Sequence, residues 1–118
     1  MANKYHAKKV VYNGITFDSR KELQRYHELK LLERCGDIEN LERQVAFTLI
    51  PAQYTPTAKT KGKLAERKVE YIADFVYTAN GETVVEDVKG YRGGAGYGVF
   101  VIKRKLMLWV HGIRIKEV

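Results

Sequence analysis

The sequence predicts an α/β domain in which helices pack on a mixed sheet, in the order helix, three strands, helix, strand. Three features carry that expectation. A capped helical stretch spans 17–36, an Asn-Gly pair joins two strand-like runs between 69 and 90, and an apolar helical stretch at 99–112 precedes a short final strand.

The first element is "FDSRKELQRYHELKLLERCG" (17–36). Ser19 is its N-cap, Glu22 stands three residues on as in a capping box, and Gly36 supplies the stop. "DIENLERQVAFTLIP" (37–51) is an extended run closed by Pro51. "AKTKGKLAERK" (58–68) is basic, contains glycine and is weakly apolar, so it reads as a mobile loop. "VEYIADFVY" (69–77) and "TVVEDVKG" (83–90) flank Asn80-Gly81, the strongest short-range signal for a β-hairpin. "YRGGAGYG" (91–98) reads as a glycine-rich loop, "VFVIKRKLMLWVHG" (99–112) as a largely buried helix stopped by Gly112, and "IRIKEV" (113–118) as a strand.

Composition narrows the class. The chain has 118 residues, 45% hydrophobic and 30% charged, which suits one soluble domain with a core that needs no disulfide. No apolar run approaches the ~20 residues of a membrane span. The N-terminal "MANKYHAKKVVYNG" lacks a signal-peptide core, which predicts a cytoplasmic protein. The lone Cys35 agrees with a reducing compartment and reads as helix packing. His6, His27 and His111 show no zinc-ligand spacing. "GYRGGAGYG" has no lysine-serine or lysine-threonine pair after it and is not a phosphate-binding P-loop. Twenty-one Lys and Arg against fourteen Asp and Glu give +7, a balance that suits a polyanionic partner, nucleic acid first.

The hairpin carries the chemistry. With Asn80-Gly81 as a type I′ turn, Tyr77 faces Val84 and Asp74 faces Asp87. Alternation then puts Ile72, Asp74 and Val76 on one face with Val85, Asp87 and Lys89. Tyr71, Ala73, Phe75 and Tyr77 share the other with Val84, Glu86 and Val88. Opposed carboxylates with Cβ atoms roughly 5 Å apart repel. A divalent cation would reconcile them, and Mg²⁺ takes one or two carboxylates together with substrate phosphate. The bland alternative is a solvated face on which Lys89 neutralises two aspartates, and the apolar Ile72, Val76 and Val85 weigh against it. Glu22 has two readings: the capping box accounts for it fully, while its stripe with Tyr26 and Leu29 would also turn it inward as a third ligand.

Asp74, then Asp87-Val88-Lys89 on the next strand, with a helical glutamate upstream, resembles the PD-(D/E)XK nuclease superfamily. More narrowly, "FDSRKELQRY", "LERQVAFTLIP", "YIADFVY" and "VEDVKG" look like a family of small phage-encoded endonucleases related to Holliday-junction resolvases. The resemblance spans nearly the whole chain and implies a restriction-endonuclease-like αβββαβ core, a mixed sheet flanked by helices. It implies that Asp74 and Asp87 hold Mg²⁺ or Mn²⁺, assisted by the Val88 carbonyl and by Glu22. Lys89 would activate the attacking water, and Gln44 falls where relatives carry a polar residue near the site. No proline precedes Asp74, a common departure in the group.

The expectation is therefore a metal-dependent DNA endonuclease, acting on branched DNA as a homodimer in the host-cell cytoplasm. Lys59, Lys61, Lys63, Arg67, Lys68, Lys103 and Lys105 would hold the phosphate backbone, with Arg92 and Tyr97 beside the site. The rivals are an inactive DNA-binding accessory module of the same fold and a nuclease that nicks duplexes or trims ends.

Overall fold

The computed structural model describes residues 8–56, 62–90 and 92–118. A short hairpin comes first, β1 (Val10–Tyr12) and β2 (Ile15–Phe17), turned at Asn13-Gly14 with φ of +50° and +78°. The sequence reading assigned nothing here. Helix α1 (Arg20–Arg34) follows, with Ser19 Oγ accepting from the Glu22 N–H at 3.1 Å. It ends where Gly36 takes φ +83° and the Asp37 N–H reaches back to the Leu32 carbonyl. Cys35 is the C-cap and is exposed, so it does not pack as expected.

Four strands form a mixed sheet in the order β3-β6-β7-β8, comprising β3 (Glu39–Ile50), β6 (Val69–Ala79), β7 (Glu82–Asp87) and β8 (Lys116–Glu117). The first three are antiparallel and β8 runs parallel to β7. With its two helices the chain is a mixed α/β structure. The Asn80-Gly81 turn has positive φ at both residues, and the ladder places Phe75 opposite Glu86, Val76 opposite Val85 and Tyr77 opposite Val84. This is the register that the turn predicts, and continuing it one step sets Asp74 against Asp87.

Three expectations need correction. The stretch read as a loop contains β5 (Leu64–Glu66), paired with β4 (Gln53–Tyr54) in a two-stranded ribbon. Helix α2 (Gly94–Leu106) starts inside the glycine-rich segment, because glycines at a helix start leave room without forbidding helical φ, ψ. It continues as a π-helical turn, Met107–His111, closed by Gly112 at φ +68°. This segment is not largely buried: Val99, Ile102, Leu108 and Val110 are exposed, and Trp109 is 85% exposed.

Two apolar clusters flank the sheet. Leu29 of α1 packs with Ile38, Phe75 and Tyr77, whereas Phe100 and Met107 pack with Leu49, Tyr71, Ala73 and Val85. The strict alternation expected for β6 placed Tyr71, Ala73, Phe75 and Tyr77 in one layer. Instead Phe75 and Tyr77 serve α1, and Tyr71 and Ala73 serve α2. The changeover falls at Asp74, next to Gln44 of β3, whose φ of +53° departs from extended geometry between the pairs Arg43↔Phe75 and Val45↔Ala73. The paired ladder between β6 and β7 also ends one step away, at Phe75↔Glu86.

Candidate functional site

The N-terminus of α1, the middle of β3 and the ends of β6 and β7 meet at a group of acids. Asp18, Glu22 and Asp74 each offer a carboxylate oxygen within 4.8 Å of the others. Glu22 is buried, and both readings of it hold together. Its backbone N–H is capped by Ser19, while its own carboxylate accepts from the Asp18 N–H at 3.2 Å and faces Arg43 and Gln44 at 3.4 and 3.3 Å. The side chain thus reaches one residue beyond the N-cap that a capping box would engage. Burial raises the Glu22 carboxyl above its ordinary range, and the nearby Asp18 charge adds to that.

Asp74 accepts from the Val88 N–H at 2.7 Å and from the Gln44 amide at 3.4 Å. Burial pushes its carboxyl up to about 7, against the lowering effect of the Val88 N–H, and the charges of Asp87 and Glu22 push the same way. Val88 therefore contributes its N–H to the site in this structure. Gln44 donates to Glu22 and to Asp74 together, from a backbone conformation that costs a non-glycine residue about 1 kcal/mol.

Asp87 is buried, with one oxygen accepting from the Tyr71 hydroxyl at 2.8 Å and the other 2.5 Å from Lys89 Nζ. Lys89 lies 3.3 Å over the Phe100 ring. The Lys89 N–H bonds the Val118 carbonyl and the Val118 N–H bonds the Asp87 carbonyl, which braces the Asp87-Val88-Lys89 segment. Lys21 donates to the Lys89 carbonyl from the other side. Glu86 points away, as the register requires. Arg25 grips it through two bonds of 2.8 and 2.7 Å and Tyr77 donates to it, so despite burial its carboxyl lies below the usual range. These three donors neutralise it without a metal.

Six residues expected at the site, Glu22, Gln44, Asp74, Asp87, Val88 and Lys89, lie together, Val88 through its N–H where its carbonyl was expected. The converging carboxylate trio differs in one member from the expected set, because Asp18 enters it while both Asp87 oxygens are already engaged. Asp18, Tyr71 and Arg43 were missed. Asp18 is adjacent to the N-cap, a place where a polar residue is ordinary; Tyr71 and Arg43 reach the site across strands, which no local spacing reveals.

The cations expected on nucleic acid are dispersed. Lys59 and Lys61 lie outside the described residues. Lys63, Arg67 and Lys68 are exposed on or beside the β4–β5 ribbon, with Lys68 paired to Glu70. Lys103 and Lys105 are on α2, half-buried and exposed. Arg92 and Tyr97 both turn to Glu117, at 3.5 and 3.4 Å, where Arg104 also binds.

The donor set suits a hard divalent cation. It is all oxygen and acidic, with three carboxylate oxygens within 4.8 Å of one another. A family profile described as "Protein of unknown function (DUF1064)" matches residues 2–111. Neither the curated proteins nor the solved structures contain a match.

Proposed function

The chain belongs to the DUF1064 family, and from that premise we propose that it is a divalent-metal-dependent DNA endonuclease of the PD-(D/E)XK kind, cutting branched DNA as a homodimer. The observation that carries this reading is the convergence of Asp18, Glu22 and Asp74 within 4.8 Å, beside an aspartate-lysine pair on the next strand. A structural role alone gives no reason to crowd these acids, since like charges at such separations destabilise a fold.

Asp74, Asp87 and Glu22 would hold Mg²⁺ or Mn²⁺, with Asp18 close enough to join through its own carboxylate. The ion would lower the pKa of a water and offset charge on the phosphate oxygens. Lys89 is held by Asp87 and its Phe100 platform, so its ammonium is positioned in advance to donate to a phosphate oxygen or to the attacking water. Tyr71 fixes the Asp87 carboxylate, and Gln44 links Glu22 and Asp74 by donating to both. Arg43 lends Glu22 a counter-charge. The net charge of +7 supplies general attraction for a phosphate backbone.

The test is incubation with labelled four-way junction, flap, linear duplex and single strand in Mg²⁺, Mn²⁺ or EDTA. Metal-dependent cutting that favours the junction and disappears in Asp87→Ala is expected. Cutting of none, or equal cutting by the variant, removes the enzyme reading; equal cutting of duplex and junction removes only the branched-DNA preference. A DNA-binding module without nuclease activity is the second reading, favoured by one observation: both Asp87 oxygens are occupied by protein donors. It predicts DNA binding with no cleavage in either metal.

A further inference from the structure

A second charged feature adjoins the acids and has the opposite sign. Lys8, Lys9, Arg20 and Lys21 surround a cavity of about 560 Å³ whose floor includes Ser19 and Gly90. Two of its lysines contact residues of the acidic site. Lys9 pairs with Asp18 at 2.8 Å, and Asp18 is a member of the carboxylate trio; Lys21 donates to the carbonyl of Lys89, directly before Gly90. Lys8 and Arg20 are exposed and have no side-chain partner among the described residues.

Helix energetics do not explain these cations. Arg20 and Lys21 occupy the first turn of α1, whose N-terminus carries partial positive charge, so cations there oppose the helix dipole where acids would support it. Asp18 and the Lys89 carbonyl account for Lys9 and Lys21, but no partner among the described residues accounts for Lys8 and Arg20. A bound anion would give Lys8 and Arg20 a counter-charge and offset the unfavourable helix-dipole effect on Arg20 and Lys21. The volume admits a phosphate with its sugar, being within the range of ordinary ligand pockets. The lysine stems and Val10 provide an apolar wall for that sugar.

We infer that this cavity binds a phosphodiester of the substrate strand, next to the phosphate presented to the carboxylates. The inference rests on the nuclease reading for its substrate class, and it specifies where the strand runs: past the N-terminus of α1, between the β1 end and Gly90. Lys8 and Arg20 supply charge to the phosphate, and Lys21, anchored on Lys89, ties its position to the reacting centre.

The experiment measures binding of a fluorescent DNA duplex over a salt series in EDTA, so that no cleavage enters. The double variant K8Q/R20Q is compared with K30Q/R34Q, which removes two charges at the far end of the same helix. The expected result for K8Q/R20Q is affinity lower by about tenfold or more. The slope of log K against log salt becomes shallower by about 1.8, two contacts at about 0.9 each. K30Q/R34Q keeps the wild-type slope. Equal loss in both variants, or none in K8Q/R20Q, overturns the site. Thermal melting of K8Q/R20Q at or above the wild-type midpoint shows that the variant folds. The two readings fail separately: a wild type that cuts DNA while K8Q/R20Q binds normally sinks only the cavity, and a wild type that cuts nothing while K8Q/R20Q loses its salt slope sinks only the nuclease.

Discussion

Glu86 and Asp87 are neighbours on β7, and the strand pleat sends them into opposite layers with opposite electrostatic outcomes. Glu86 is fully buried but neutralised by the Arg25 fork, so it is a structural anchor. Arg25→Met would leave that carboxylate buried and unpaired and should cost about 3–5 kcal/mol in urea unfolding. Asp74, on the other side, is raised to about 7 by burial, and this sets a pH dependence. At low pH the folded and unfolded chains both hold its proton. From about pH 4 to 7 only the folded chain does, so its contribution to stability is lost as pH rises through that window. Glu86 works in the other direction, contributing above the usual carboxylate range and losing that contribution as pH falls below it. Melting midpoints should therefore decline from pH 5 to 8, and Mn²⁺ should restore more at pH 8 than at pH 5. Asp74→Asn should weaken both effects, leaving the smaller part that the raised Glu22 carboxyl contributes; an unchanged pH profile in that variant would count against the burial argument. At the reacting centre, Lys89→Met should lower the single-turnover cleavage rate by about 10²–10³-fold, the scale of losing one preorganised charge.

The elements show how the site is held. Helix α1 delivers Glu22 at its first turn because Ser19 caps it there, and Leu29, two turns later, locks the helix onto Phe75 and Tyr77. Leu29→Ala should destabilise by about 2–5 kcal/mol, read by denaturant unfolding with an unchanged m-value. Strand β3 holds Gln44 with φ +53°, where glycine would be relaxed. Gln44→Gly should leave stability within about 1 kcal/mol of wild type, since relief of strain offsets added chain entropy. The same variant should weaken Mn²⁺ binding measured calorimetrically, because the amide that spans Glu22 and Asp74 is gone. Unaltered Mn²⁺ affinity would mean that Gln44 serves only the strand. These elements were legible in the sequence where a local signal existed: the Ser19–Glu22 cap, the Asn80-Gly81 turn and the Gly112 stop. The β4–β5 ribbon was not, because its pairing joins short polar segments whose composition matches a loop. The start of α2 was not, because its glycines carry no helical periodicity.

At the scale of the whole molecule, a group of large apolar side chains on α2 and its extension is left uncovered. Val99, Ile102 and Trp109 line the exposed side of α2 and its π-helical extension, with Leu108 and Val110 beside Trp109. Large exposed apolar patches mark interaction surfaces, and a two-fold contact through this helix fits the homodimer proposed for paired cuts. Trp109→Glu should convert a dimer to a monomer in sedimentation without lowering the melting midpoint of the monomer. A wild type that sediments as a monomer at all concentrations would refute the dimer.

The order of the main elements, the hairpin register and the acids on its rim follow from the sequence, because a two-residue turn and a two-residue pleat are local rules that fix everything along the strands they join. Which acids meet was decided by the tertiary structure. Asp18 joins Glu22 and Asp74, Tyr71 and Lys89 claim Asp87, and Arg25 neutralises Glu86 only after α1 has docked on the sheet. Several of those contacts are long-range, Tyr71–Asp87 across 16 positions and Arg25–Glu86 across 61, and they depend on how layers pack and which charges burial leaves unpaired, quantities that no spacing along the chain encodes.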